Sequence, residues 1–182
     1  MMTSFHIDAA VWSTLEQIPE TALRPPATGT ALQLAQDAWG QALPAPLLEA
    51  YRRHNGQVPH GVALFCNEFR WLSIQEAVQE WQTWQTTMAR PDMTAMRDSH
   101  ASCGHPNAKV RMDWWNPNWW PLAVSDDADL LCLDGQPGPT GALHQIIIVS
   151  SAHEGRSLAA VSMASLLDQA AADLAGDFMD QD

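Results

Sequence analysis

The sequence predicts an α+β domain. Three observations carry that expectation: apolar residues at helical spacing toward both ends of the 182-residue chain, short β-branched and aromatic runs in its middle and late parts, and no internal repeat or linker between them. The length suits one domain with a substantial core, so residues 1–182 are read as a unit whose N-terminal helices occupy about residues 1–40.

Ile7, Val11, Leu15 and Ile18 recur every three or four residues and predict a first helix closed by Pro19. After a Pro25 to Gly29 loop, Ala31, Leu34, Ala35, Ala38 and Trp39 predict a second, with Gly40 as its C-cap. Pro44 and Pro46 mark the start of a third, Leu47, Leu48 and Tyr51 supply its buried face, and Asn55-Gly56 stops it in a left-handed turn. Residues 61–72, rich in β-branched and aromatic types, read as one or two edge strands. Ser73 and Glu76 form a capping-box pattern ahead of Ile74, Ala77, Val78, Trp81, Trp84 and Met88, so a helix of about four turns is expected, its tryptophans facing the core.

Residues 91–108 show no sustained period and are read as a surface loop insertion carrying His100, Cys103 and His105. The spacing of those three residues matches no common zinc site, and no metal is expected there. The segment from Lys109 to Asp134 is the most unusual, with four of the nine tryptophans and five of the twenty-one acidic residues. Val110, Met112 and Trp114 alternate into the knot Trp114, Trp115, Asn116, Pro117, Asn118, Trp119, Trp120 and Pro121. Two apolar runs, Leu122 to Val124 and Leu130 to Leu133, then read as adjacent strands joined by a turn bearing Asp126, Asp127 and Asp129. Alternate tryptophans on an extended chain point to opposite sides, so two are expected in the core and two under a helix or at the rim.

Beyond a glycine- and proline-rich connection at residues 135–141, the run His144 to Val149 predicts a buried central strand, and Leu158 to Val161 a further short one. Ser162 or Ser165 caps a final helix through Leu174 that Gly176 ends, leaving residues 176–182 as a frayed acidic tail.

Composition narrows the function. Nine basic residues against twenty-one acidic give a net charge of −12, with Lys109 the single lysine, so nucleic acid is a poor partner. After Ser125 ten carboxylates face only Arg156. Such a field steers a basic partner, or serves simply as a solvated acidic face. No apolar window is long enough to span a membrane and the first residues do not resemble a signal peptide, so a soluble, cytoplasmic protein is expected. Cys66, Cys103 and Cys132 are odd in number and widely spaced, which fits a reducing compartment.

No phosphate-cradling loop, nucleophile elbow or zinc-protease helix is present, and no catalytic residue or cofactor is expected. Asp126, Asp127 and Asp129 offer closely spaced oxygens of the kind hard cations need, but lack the EF-hand spacing, so a metal-dependent hydrolase built on them is the weakest alternative. Recognition is the stronger use of this region: aromatic side chains supply rigid contact area and carboxylates select a cationic partner. The candidate contact residues are Asp126, Asp127, Asp129, Asp134, Trp115 and Trp119.

The order of motifs over residues 43–167 resembles the SMI1/KNR4 family, also called SUKH. The similarity lies in Leu43-Pro44 and Tyr51 ahead of the His54-Asn55-Gly56 turn; in Leu72, Ser73, Glu76 and Ala77; and in Trp115, Pro117, Trp119, Trp120, Pro121, Leu122 and Ala123. It continues through Asp127, Asp129 to Asp134, Gly141, Gln145 to Ile147, and Ala160 to Ser162. The resemblance implies a mixed, mostly antiparallel sheet of about four to six strands with helices around it, and no catalysis. Gly56, Trp120, Pro121, Asp134, Gly141 and Gln145 would then be structural signatures. It further implies either an immunity protein that neutralises a cognate toxin, nucleases among them, or a regulator or scaffold in cell-wall synthesis. Ala128 and His144 stand where the family commonly has glycine.

Overall fold

The computed structural model describes residues 6–101, 108–152 and 155–179. Local chemistry accounts for several helix ends. Asp8 caps α1 (Ala9–Gln17) by accepting from the Ala10 N–H at 2.8 Å, and Thr28 caps α2 (Gly29–Trp39) by accepting from Ala31 at 3.2 Å. Gly40 closes α2 in a left-handed conformation, φ 75°. Pro44 leads into α3 (Ala45–Arg53). The capping box on α4 (Ile74–Met88) is complete: the Glu76 N–H donates to Ser73 Oγ and the Ser73 N–H to Glu76 Oε2.

Three expectations need correction. Residues 61–72 supply only a two-residue strand, β1 (Arg70–Trp71), because Cys66 and Asn67 turn the chain at φ 54° and 53° and bring Phe65 against Phe69. The supposed loop insertion is partly helical: Pro91–Met93 makes a 3-10 turn, with proline at a first helical position, that runs into α5 (Thr94–Ala101). Cys103, His105 and the side chain of His100 lie outside the described residues. Nor does Gly176 end the last helix; α6 (Met163–Met179) passes through it, since it keeps a negative φ and nothing crowds it. Residues 180–182 of the expected acidic tail are outside the description.

The sheet is a five-stranded meander in the order β1, β2 (Trp119–Val124), β3 (Leu130–Asp134), β4 (Ile146–Val149) and β5 (Arg156–Ala160). Among the described residues every pairing is antiparallel, in keeping with the α+β fold and mostly antiparallel sheet of about four to six strands that the resemblance implies. The β2–β3 and β4–β5 connections are too short for the crossover of a dozen or more residues that parallel neighbours need, whereas α4 and α5 lie between β1 and β2. Pro121 cannot donate to a ladder, and the β2–β3 register shifts between Pro121 and Ala123.

Both faces of the sheet are covered, which is why β3 and β4 read as unbroken apolar runs. On one face Trp120, Leu122, Leu131, Leu133 and Ile146 join a large core with α1, α2, α3 and α6. On the other, Trp119, Leu130, Cys132, Ile147 and Val149 join Met88, Val110 and Trp115 in a smaller one. Successive residues of β3 go to opposite cores, as strand geometry requires, whereas Leu122 and Ala123, at the β2 irregularity, both join the larger one. Among the described residues no helix is long and apolar enough to cross a membrane.

Candidate partner-binding surface

The turn between β2 and β3 is built by Ser125. Its N–H donates to the Asp129 carbonyl at 2.9 Å, its hydroxyl accepts from the Asp129 N–H at 3.1 Å, and its carbonyl accepts from Ala128. This leaves Asp126 and Asp127 exposed at the tip. They line a cleft of about 740 Å³ together with His60, Glu68 and Arg70. Arg70 pairs with Glu76, 3.1 Å from its Nη2.

Asp129 does a different job. Half-buried, its Oδ1 accepts from the Ser151 N–H at 2.8 Å and tethers the turn to the segment after β4. Its carboxylate is therefore spoken for, and among the described residues no three His, Cys, Asp or Glu side chains come together as a metal site. The hydrolase reading of Asp126, Asp127 and Asp129 has no converging geometry behind it in that part of the chain.

Three other candidate contacts are corrected by burial. Asp134 and Trp119 are fully buried and Trp115 nearly so, so none offers a surface to a partner. Trp115 stacks on Trp84 of α4 with ring centres 5.1 Å apart and meets Trp119 edge-on. Asp134 Oδ1 accepts from the Trp119 indole N–H at 3.1 Å and from the Gln136 backbone N–H at 3.0 Å, and its Oδ2 accepts from Gln145 Nε2 at 2.9 Å. Burial raises the Asp134 pKa, and these three donors oppose the rise. Gln145 in turn donates to the Lys109 carbonyl and accepts from the Ala142 N–H. Gly141 must stay small there, since a Cβ would strike the Lys109 carbonyl.

The tryptophan-proline segment is fastened by its carbonyls. Pro117 accepts from the indoles of Trp39 on α2 and Trp81 on α4, at 3.1 and 3.0 Å. Arg156 was invisible as an anchor in the sequence. It is buried, reaches the carbonyls of Asp113, Trp114, Ser150 and Gly155, and lies 5.3 Å over the Trp114 ring. Only its isolation as the sole cation after Ser125 could have flagged it.

The sequence profile of the SMI1 / KNR4 family (SUKH-1) matches residues 26–169, most of the chain. The chain belongs to this family. A curated relative from Neurospora crassa, described as a glucan synthesis regulatory protein, is 26% identical over 174 residues. That alignment takes in 77% of this chain but 32% of the relative, so the chain spans about a third of that protein's length.

Membership in the SMI1 / KNR4 family sets two departures in context. Ala128 and His144, where the resemblance leads one to expect glycine, both adopt left-handed backbone, φ 62° and 66°. The turn geometry is kept without the glycine, at a cost of about 1–2 kcal/mol for each such residue. Gly56 must be glycine for a visible reason: φ is 70° and a Cβ would lie 2.5 Å from the Leu72 backbone. The α1 helix precedes the matched region and is fixed to it through Glu16, which accepts from Arg53 Nε at 2.6 Å and lies 2.8 Å from His54 Nε2.

Proposed function

We propose that this SMI1 / KNR4 domain is a non-catalytic protein-binding module acting in the cytoplasm, and that it is an immunity protein which binds and neutralises a cognate toxin through its acidic surface. A nuclease, whose active site must be basic to hold its substrate, is the toxin class such a surface would occlude best. The observation that carries the reading is the exposed pair Asp126 and Asp127 beside Glu68 on one cleft of a chain with net charge −12. Complementary charge raises encounter rates and excludes wrong partners. Co-expression with the product of the adjacent gene tests it: growth arrest by that product alone, relieved by this chain, is expected. A harmless neighbour, or arrest that persists, counts against it.

A second reading has its own support. The Neurospora crassa relative is described as regulating glucan synthesis. By that analogy the same surface would dock a protein of cell-wall or envelope synthesis. An adjacent gene for a wall enzyme, bound by this chain without any toxicity, favours that reading.

A further inference from the structure

His54 is the C-cap of α3 and lies inside the family-matched residues 26–169, yet its ring reaches two groups that precede them. Nδ1 is 2.9 Å from the Arg24 carbonyl oxygen, and Nε2 is 2.8 Å from Glu16 Oε1. Both partners are acceptors: a carbonyl carries no proton, and the Glu16 carboxyl, held down to about 2 first of all by Arg53, stays ionised. A neutral imidazole has one N–H, so it would satisfy one oxygen and turn a lone pair on the other. Only the imidazolium donates to both. The carbonyl end of α3 favours a positive charge at the same place. Around the ring, α1 contributes Glu16 and the Trp12 ring, whose centre is 5.8 Å away, and on α3 Arg53 donates to the same Glu16 carboxylate at 2.6 and 3.0 Å. The Arg24 guanidinium is engaged by the Gln57 carbonyl at 2.9 Å and lies 3.9 Å from Glu76. Ile18, Pro19, Thr21, Ala22 and Leu23, which share a small cavity with His54 and Glu16, carry no charge.

We propose that His54 is a proton-gated joint between the N-terminal segment and the matched domain: charged, it holds both Glu16 and the Arg24 carbonyl, and on losing a proton it keeps Glu16 and releases Arg24. Bond strength decides which contact survives. A hydrogen bond to a carboxylate is roughly twice as strong as one between neutral groups, so the remaining proton stays on Nε2 and the Nδ1 proton leaves to water. The Arg24 carbonyl then faces a lone pair, and ring and carbonyl move apart. Arg24 remains tied through its N–H to the Gly56 carbonyl at 2.8 Å, and α1 remains tied through Arg53, so the segment loosens at one point without detaching. The joint responds to pH alone and is independent of the partner proposed above.

The test is an NMR titration of the isotopically labelled full chain from about pH 5 to about pH 9, spanning the ordinary imidazole value of about 6.5. Ring proton–nitrogen correlations read each nitrogen of His54, and the carbonyl carbon shift of Arg24 reads its hydrogen bond. Expected is loss of the proton from Nδ1, with the Arg24 carbonyl shift moving over the same pH interval and Nε2 still protonated at the alkaline end. In Glu16→Gln the charged acceptor is gone, so both neutral tautomers should appear at alkaline pH, read as intermediate shifts at the two nitrogens. Stability gives an independent reading. Because the fold uses the protonated ring, the contribution of His54 is present at acid pH and falls as pH rises. His54→Gln, with a single donor nitrogen for two acceptors, should lower the urea midpoint at about pH 5.5 and lower it only about half as much at about pH 8.5. Proton loss from Nε2 instead, an Arg24 carbonyl shift that does not follow the ring, or an equal midpoint loss at both pH values would overturn the proposal. The wild-type titration decides the first two of these without any variant.

Discussion

Trp119 donates its indole N–H to Asp134 Oδ1 across the β2–β3 pair at 3.1 Å, with both side chains fully buried. The two motif residues thus form one internal unit with Gln145, whose amide donates to the other carboxylate oxygen. Asp134→Asn would turn an amide N–H toward one of three donors. Gln145 cannot flip in response without losing its bonds to Lys109 and Ala142. A loss of about 2 kcal/mol is expected in urea unfolding, because a buried donor is left without an acceptor. A change under about 0.5 kcal/mol would mean that the network does not stabilise the fold.

Ala128→Gly should stabilise the protein by up to about 1 kcal/mol, since glycine takes φ 62° without the Cβ penalty and the only offset is the entropy of the unfolded chain. The opposite substitution at a similar conformation, Gly56→Ala, should cost at least about 3 kcal/mol because its Cβ meets the Leu72 backbone at 2.5 Å. Urea midpoints of the two variants read both effects, and equal signs would contradict the backbone account.

Arg156→Lys should destabilise by roughly 2 kcal/mol although the charge is kept, because an ammonium has three donors and no planar fork with which to reach four carbonyls. Thermal unfolding should show a midpoint lower by several degrees. An unchanged midpoint would make charge, rather than fork geometry, the property that matters.

Acid should loosen α1. The hydrogen bond from Arg53, and next the one from His54, hold the Glu16 carboxyl down to about 2. A carboxyl depressed in the folded state contributes stability that is complete above its unfolded value of about 4.3 and is lost as pH falls toward the folded one. The stability that Glu16 itself contributes should therefore be complete above about pH 5.5, shrink below it and be gone only below about pH 2, read as a difference between wild type and Glu16→Gln that narrows over that range. Its size will be small because the pair is solvent-screened. Urea midpoints from neutral to acid pH measure it; a difference that grows as pH falls would reverse the sign and refute the assignment.

Features written in consecutive residues were legible in the sequence: the Ser73 and Glu76 capping box, the Gly40 stop, the β4 run, and the division of Trp119 and Trp120 between two sides of a strand. Composition misled at residues 61–72, where aromatic content suggested strands but positive φ at Cys66 and Asn67 makes a tight turn. The site was read only in part. Asp126 and Asp127 are exposed where a polar turn would put them, whereas the roles of Asp129, Asp134 and Arg156 depend on partners many residues distant in sequence, on Ser151, Gln145 and the carbonyls of Asp113 and Trp114. Charge alone cannot separate a carboxylate facing solvent from one that organises the interior.

The proposed recognition surface is tested most directly by stopped-flow association with the protein encoded beside this one, using wild type and Asp126→Lys/Asp127→Lys. Asp129 is left intact because it holds Ser151. At low salt the double variant should associate at least about tenfold more slowly, with a flatter dependence on ionic strength and little change in dissociation rate. Equal association rates and equal salt dependence in the two proteins would contradict the acidic turn as the docking surface.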